Sequence, residues 1–212
     1  PRSAVPSDPD LSARGLRLPR VARRAQLLQA AHDVFVANGY HAAAMDEIAD
    51  RAGVSKPVLY QHFPGKLDLY LALLDHSGEV LLRRLHEALS STEDNKERVT
   101  ATMNAYFEFV DDPAETYRLL FESDLTNESA VRDRLDRLNS ACADEIAKII
   151  AEDTGLPVEE STLLAIGLVG VAQVSARYWL DSRGSIPRNA AAELVATLSW
   201  RGIGGFPKRG DS

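Results

Sequence analysis

The stretch "MDEIADRAGVSKPVLYQHFPGK", Met45 to Lys66, decides the fold. Ile48, Ala49, Ala52, Val54 and Leu59 are small or apolar, at spacings that turn two short helices toward each other. Asp46 and Glu47 fall in the first turn of the first helix, where the dipole favours negative charge. Gly53 supplies a tight turn, and Ala49 must be small because the second helix crosses close to it. Ser55 is expected to N-cap that second helix, with Pro57 in its first turn, where no intrahelical N–H is needed. Pro64-Gly65 ends it near Phe63. This is the spacing of a helix-turn-helix, whose second helix enters the DNA major groove.

The outward residues of the second helix are Lys56, Pro57, Val58, Tyr60, Gln61 and His62. Gln61 can offer a paired donor and acceptor to an adenine edge, and Lys56 can donate to guanine. Pro57 and Val58 can pack on a thymine methyl, while Tyr60, His62 and Lys66 can donate to phosphates. Two helices joined by glycine also occur in proteins that never touch DNA, so spacing alone does not separate the readings. The cationic and polar set, with Arg14, Arg17, Arg20, Arg23 and Arg24 running ahead of it, weighs toward DNA.

Outward from this stretch, the 212 residues are 45% hydrophobic and 26% charged, as in folded, soluble proteins. The formal net charge is −7 but is unevenly spread: residues 1–70 hold 9 Lys/Arg against 7 Asp/Glu, the remainder 15 against 24. A nucleic-acid partner must therefore meet the N-terminal part. Residues 1–18 are rich in Pro, Ser and Arg and are expected to form a disordered arm. The opening "PRSAVPSDPDLSARG" has no apolar h-region and predicts no signal peptide. One cysteine, Cys142, excludes an internal disulfide and suits a cytoplasmic location.

Patterning predicts an all-α chain. Leu27, Leu28, Ala31, Val34 and Phe35 form an amphipathic stripe on a first helix from about 19 to 38, ended by Asn38-Gly39. After the helix-turn-helix, helices are expected at about 66–90, 95–111, 113–124, 128–152, 158–182 and 187–202. No run alternates with period two. The organisation is then an arm (1–18), a three-helix DNA-binding domain (19–65) and a helical regulatory and dimerisation domain (66–205). "LLAIGLVGVAQVSARYWL", residues 163–180, is long enough to span a bilayer, but Gln173, Ser175 and Arg177 argue for a helix buried in a soluble protein. No membrane partner is expected.

"GYHAAAMDEIADRAGVSKPVLYQHFPGKLDLYLALL" strongly resembles the N-terminal signature of TetR-family transcriptional regulators, over roughly residues 24–75. The resemblance implies a three-helix DNA-binding domain ahead of an all-helical ligand and dimerisation domain. It also implies a homodimer on a pseudo-palindromic double-stranded operator, built from the last two long helices. Tyr40 and Ser55 join the expected DNA contacts. One departure is Ala44, where many members carry a threonine that caps the second helix and reaches a phosphate. "YRLLFESDL" and "GLVGVAQVSARYWLD" extend the likeness to the actinobacterial fatty-acid-synthesis (FasR-like) regulators. That narrower resemblance implies control of fatty acid synthase genes in response to long-chain acyl-CoA. The alternative is a TetR-type repressor of efflux or catabolism with a different apolar effector.

In the second domain, Tyr106, Phe107, Phe109, Tyr117 and Phe121 cluster in sequence, either as core or as the lining of an apolar tunnel. Gln173 and Arg177 are expected beside them, with Arg118 and Arg177 as candidates for an anionic ligand group. The helix 158–182 is too apolar for one protomer to hide. Gly167 and Gly170 inside it cost about 1 kcal/mol each relative to Ala, which close helix approach or room for a ligand would offset. An enzyme is disfavoured: the five histidines show no H-E-x-x-H spacing, there is no G-x-S-x-G or P-loop, and "GIGGFPKRG" precedes no further element. No catalytic residue, metal or cofactor is expected. The effector signal is expected to travel along the helix that begins near Lys66 and joins both domains.

Overall fold

A computed structural model of the chain describes residues 19–112, 124–182 and 185–202. Among the described residues there are helices and no strand. α1 is Arg20–Ala42, α2 Met45–Arg51, α3 Lys56–His62, α4 Lys66–Ser90 and α5 Asn95–Asp111. A single 3-10 turn at Asp124–Asn127 leads to α6 (Ser129–Thr154), α7 (Val158–Asp181) and α8 (Arg188–Arg201). The helix expected at 113–124 lies, but for its last residue, outside the described residues, and so do Tyr117, Arg118 and Phe121.

α1 buries Leu27, Ala31, Val34 and Phe35 against α2 and α4, the stripe read from its period. Gly39 breaks it at φ 73°, ψ 166°, after which helical backbone resumes to Ala42. The helix is thus two pieces across a kink, longer than the periodicity alone indicated. Ile48, Ala49 and Leu59 are fully enclosed between α2 and α3, and Gly53 turns the chain at φ 63°. The Ala49 carbonyl accepts from the Val54 N–H at 3.0 Å, so the turn is closed by backbone as well as packing. Ser55 occupies the N-cap position of α3, but its side chain makes no capping bond. Its carbonyl instead accepts from Val58 and Leu59. Ala44, at the N-cap of α2, likewise supplies no side-chain cap.

α4 belongs to both halves. Tyr70 stands edge-on to Phe35 of α1, with ring centroids 5.5 Å apart, while Gly78 lets Leu138 of α6 come within 3.3 Å of where a Cβ would sit. One continuous core runs from Leu27 to Ala192 through this helix. α5 starts at a full cap, where Asp94 Oδ1 accepts from the Glu97 N–H and Thr92 Oγ1 donates to the Glu97 carboxylate. Phe107 packs on Trp179, whose indole N–H donates to Ile186 O at 2.7 Å and fixes the α7–α8 turn.

α7 departs from the expectation of a buried helix. Ala165, Ala172 and Ala176 pack inward, but Leu163, Ile166, Val174 and Tyr178 stand on an exposed face, Val174 71% exposed. Only 22% of its most apolar window is buried, in a helix long and apolar enough to cross a membrane. A Cβ built at Gly167 or Gly170 meets nothing within 4 Å, so neither glycine serves a close approach among the described residues.

Candidate DNA-reading surface and apolar cavity

α3 is held by Leu59 and Phe63 beneath it and turns the opposite side outward. Ser55, Lys56, Pro57, Tyr60 and Gln61 are exposed there, with Val58 and His62 half-buried at its edges. Seven of the nine expected DNA contacts therefore share one short surface. Lys56 is already engaged: its Nζ donates to Asp46 Oδ2 at 2.5 Å, and that hydrogen bond holds the ammonium above the ordinary lysine range.

The other two, Tyr40 and Lys66, sit elsewhere. Lys66 Nζ donates to the carbonyls of Tyr40 at 2.8 Å, His41 at 3.1 Å and Ala43 at 2.9 Å. An ammonium has three N–H groups, and all three are committed to the C-terminal end of α1. Tyr40 lies under that ammonium, stacked on Phe35 and edge-on to Tyr70. Burial, with Glu128 and Asp68 nearby, pushes its hydroxyl above the usual tyrosine range. The residue expected to anchor a phosphate is thus a clamp between α4 and α1. Its role was illegible because its acceptors are backbone atoms 23 to 26 residues earlier.

Helices α4 to α8 enclose a cavity of about 340 Å³. Leu85, Leu89, Met103, Ile146, Ile150 and Val169 form its walls. The first turn of α5 and the last of α6 give one end a polar rim of Asn95, Arg98, Asp153 and Thr154. Arg98 is fixed there by Asp153 and Asn95, each at 2.9 Å, and by Thr92 O at 2.8 Å. Tyr106, some three turns along α5 from Asn95 (about 17 Å at 1.5 Å per residue), also lines the cavity, as do Gln173, Cys142 and Arg84. Gln173 Nε2 donates to Asn139 Oδ1.

Of the expected ligand-binding residues described here, Tyr106 and Gln173 line this cavity. Phe107 and Phe109 do not: both are fully buried in the core, Phe109 beneath the Arg84 guanidinium. Arg177 is on the exposed side of α7 and is not part of the lining. Reading the aromatics as one group obscured the helical phase. Arg98, Val99, Thr102, Met103 and Tyr106 recur at three- and four-residue steps and mark the cavity face of α5.

Burial pushes the Cys142 thiol up to about 11, so it stays neutral near pH 7. Alkylation of this single cysteine by iodoacetamide is expected to be at least tenfold slower than in the urea-unfolded chain, by roughly one pK unit or more of lost thiolate plus burial. A molecule filling the cavity should slow it further. Equal rates folded and unfolded, read by intact mass, would contradict this placement.

Residues 27–73 match the family described as bacterial regulatory proteins, tetR family, and residues 95–202 match the tetracyclin repressor-like C-terminal domain. The chain belongs to the TetR family. Among relatives of this TetR-family chain, the HTH-type transcriptional activator FasR of Mycolicibacterium smegmatis is 46% identical over 92% of the chain and 89% of its own length. The nucleoid occlusion factor SlmA of Vibrio vulnificus is 28% identical over 76% of the chain and 85% of its own. A TetR-like transcriptional regulator from Rhodococcus sp. RHA1 superposes with TM-score 0.70 at 29% identity, covering 90% of this chain and 100% of that one. FadR from Bacillus subtilis, solved with stearoyl-CoA, superposes at 0.70 with 21% identity over 84% and 98%, a likeness of fold. The family is one of DNA-binding transcription regulators, not of enzymes.

Proposed function

We propose that this TetR-family regulator acts as a cytoplasmic homodimer that controls fatty acid synthesis genes in response to long-chain acyl-CoA. The observation that carries the reading is identity to the activator FasR at 46% across both halves of the chain. Identity of that extent reaches the effector half and not the DNA-binding helices alone. The cavity suits the ligand class: apolar along some three turns of α5, with Arg98 at one rim as a cation for an anionic head. The second copy covers the exposed stripe of α7 and spaces two α3 helices by one turn of DNA, about 34–36 Å. Effector binding acts through α4, by its different affinity for the two spacings.

Native mass spectrometry of the purified protein tests the effector. A retained acyl-CoA supports it, and a different small molecule bound stoichiometrically overturns it. Gln61→Ala tests the reading helix: operator affinity should fall by about 1–3 kcal/mol, with relaxed preference at one base pair per half-site. If Gln61→Ala ranks every operator variant as wild type does, α3 is not read through that residue.

A further inference from the structure

One hydroxyl in the cavity wall stands apart from others in these helices. Thr100 donates to Lys96 O at 3.0 Å, Thr154 to Ile150 O at 2.6 Å and Ser199 to Val195 O at 2.8 Å, each to the carbonyl one turn back. Thr102, two residues after Thr100 on α5, makes no such bond. Its side chain lines the cavity, and its Oγ1 is enclosed with no hydrogen-bond partner among the described residues. An enclosed hydroxyl left unpaired is costly, and the carbonyl one turn back would have relieved it. The surrounding walls, with Leu85, Ile146, Val169 and Ala172, offer only hydrocarbon side chains.

We infer that Thr102 pairs with an oxygen carried part-way along the effector's acyl chain, so that the preferred effector is a hydroxylated acyl-CoA and not a plain saturated one. The inference rests on the acyl-CoA reading of the cavity, with the thioester end of the chain at the Arg98 rim. Thr102 lies one turn inward from Arg98, about 6 Å at 1.5 Å per residue. An extended chain advances roughly 1.2 Å per bond, so Thr102 meets it about five bonds in, near the sixth carbon. The thioester carbonyl stays a turn away at the rim, and the partner has to be on the chain itself. A chain hydroxyl at that depth can both accept from Thr102 and donate to it. A saturated chain at the same depth leaves Thr102 unpaired and shut off from water, so the site discriminates against the ligand that lacks the oxygen.

The test uses the full chain, palmitoyl-CoA and its isomers hydroxylated between the fourth and eighth carbons, each titrated against wild type and Thr102→Val. In the wild type the best isomer should bind about tenfold more tightly than palmitoyl-CoA. In Thr102→Val, which keeps the branched shape, that advantage should vanish, and in Thr102→Ser it should return. Without any ligand, Thr102→Val should melt at or above the wild-type temperature, because the hydroxyl it removes bonds to nothing in the chain. A lower melting temperature would overturn the proposal by showing that the hydroxyl had a partner. A wild-type chain that ranks no isomer above palmitoyl-CoA would overturn it too. So would an advantage that survives in Thr102→Val, which would put the oxygen's partner elsewhere. All three results leave palmitoyl-CoA bound and the acyl-CoA reading standing. That reading fails separately, and takes the hydroxyl contact with it, if neither palmitoyl-CoA nor any isomer binds.

Discussion

Ile166→Glu combined with Val174→Glu is expected to give a folded monomer whose operator affinity is lower by roughly 10²–10⁴-fold, the advantage that linking two half-sites confers. Both residues are exposed, 56% and 71%, on the stripe that also carries Leu163, Gly167, Gly170 and Tyr178. Carboxylates there meet water in a single chain, so helix content and the core around Phe107 should be unaffected. In a two-fold interface through this stripe the glutamates of one copy face the same stripe of the other, and like charges in a desolvated contact are strongly disfavoured. The glycines sharpen the test. With open space where a Cβ would sit, Gly170→Leu costs the single chain little, yet it would hold two α7 helices apart. Sedimentation equilibrium with a binding isotherm checks both variants. A monomeric double variant that binds its operator as wild type does would remove the dimer from the mechanism.

Lys66→Ala is expected to lower stability by about 3–4 kcal/mol and to abolish the transmission of effector binding to DNA. Each hydrogen bond to a charged group contributes about 1.5–3 kcal/mol, and the carbonyls of half-buried Tyr40 and exposed His41 recover part of that from water, while that of buried Ala43 recovers less. The clamp also holds Tyr40 between Phe35 and Tyr70, so its loss loosens the joint where α4 meets α1. Lys66→Arg separates the two effects. It keeps the charge but cannot direct three donors into one converging set of carbonyls, so stability should recover further than signalling. Denaturant unfolding gives the first quantity, and the change in operator affinity on adding acyl-CoA the second. If Lys66→Ala unfolds at the wild-type midpoint and still responds to effector, the clamp is idle.

Much of the DNA-binding half was legible because its constraints are local. Gly53 must turn, Ala49 must be small and Leu59 must point inward, all within a dozen residues. The clamp was not, since a lysine's outward reach and its inward reach are written by the same letter. The cavity was only partly legible. Core and lining share one helical period, so Tyr106 and Phe107 differ by a single 100° step that only the packing of α5 resolves. The outer face of α7 read as too apolar for one protomer, and the structure shows which side of it stays uncovered. Asn38-Gly39 marked the kink but not the turn of helix beyond it.

Under the proposed DNA reading, the pair between Lys56 and Asp46 would have a kinetic consequence for how the protein searches DNA. Asp46 behaves as a resident decoy for the one lysine on the reading helix. A random duplex gains little by displacing it, since the exposed pair is itself worth only about 0–1 kcal/mol and the phosphate or base edge offered is a near-equal exchange. If α3 reads the major groove as proposed, a non-specific duplex would then have little to gain from Lys56, and a site that presents a guanine edge in register would have more. The pair would in that case separate searching from stopping.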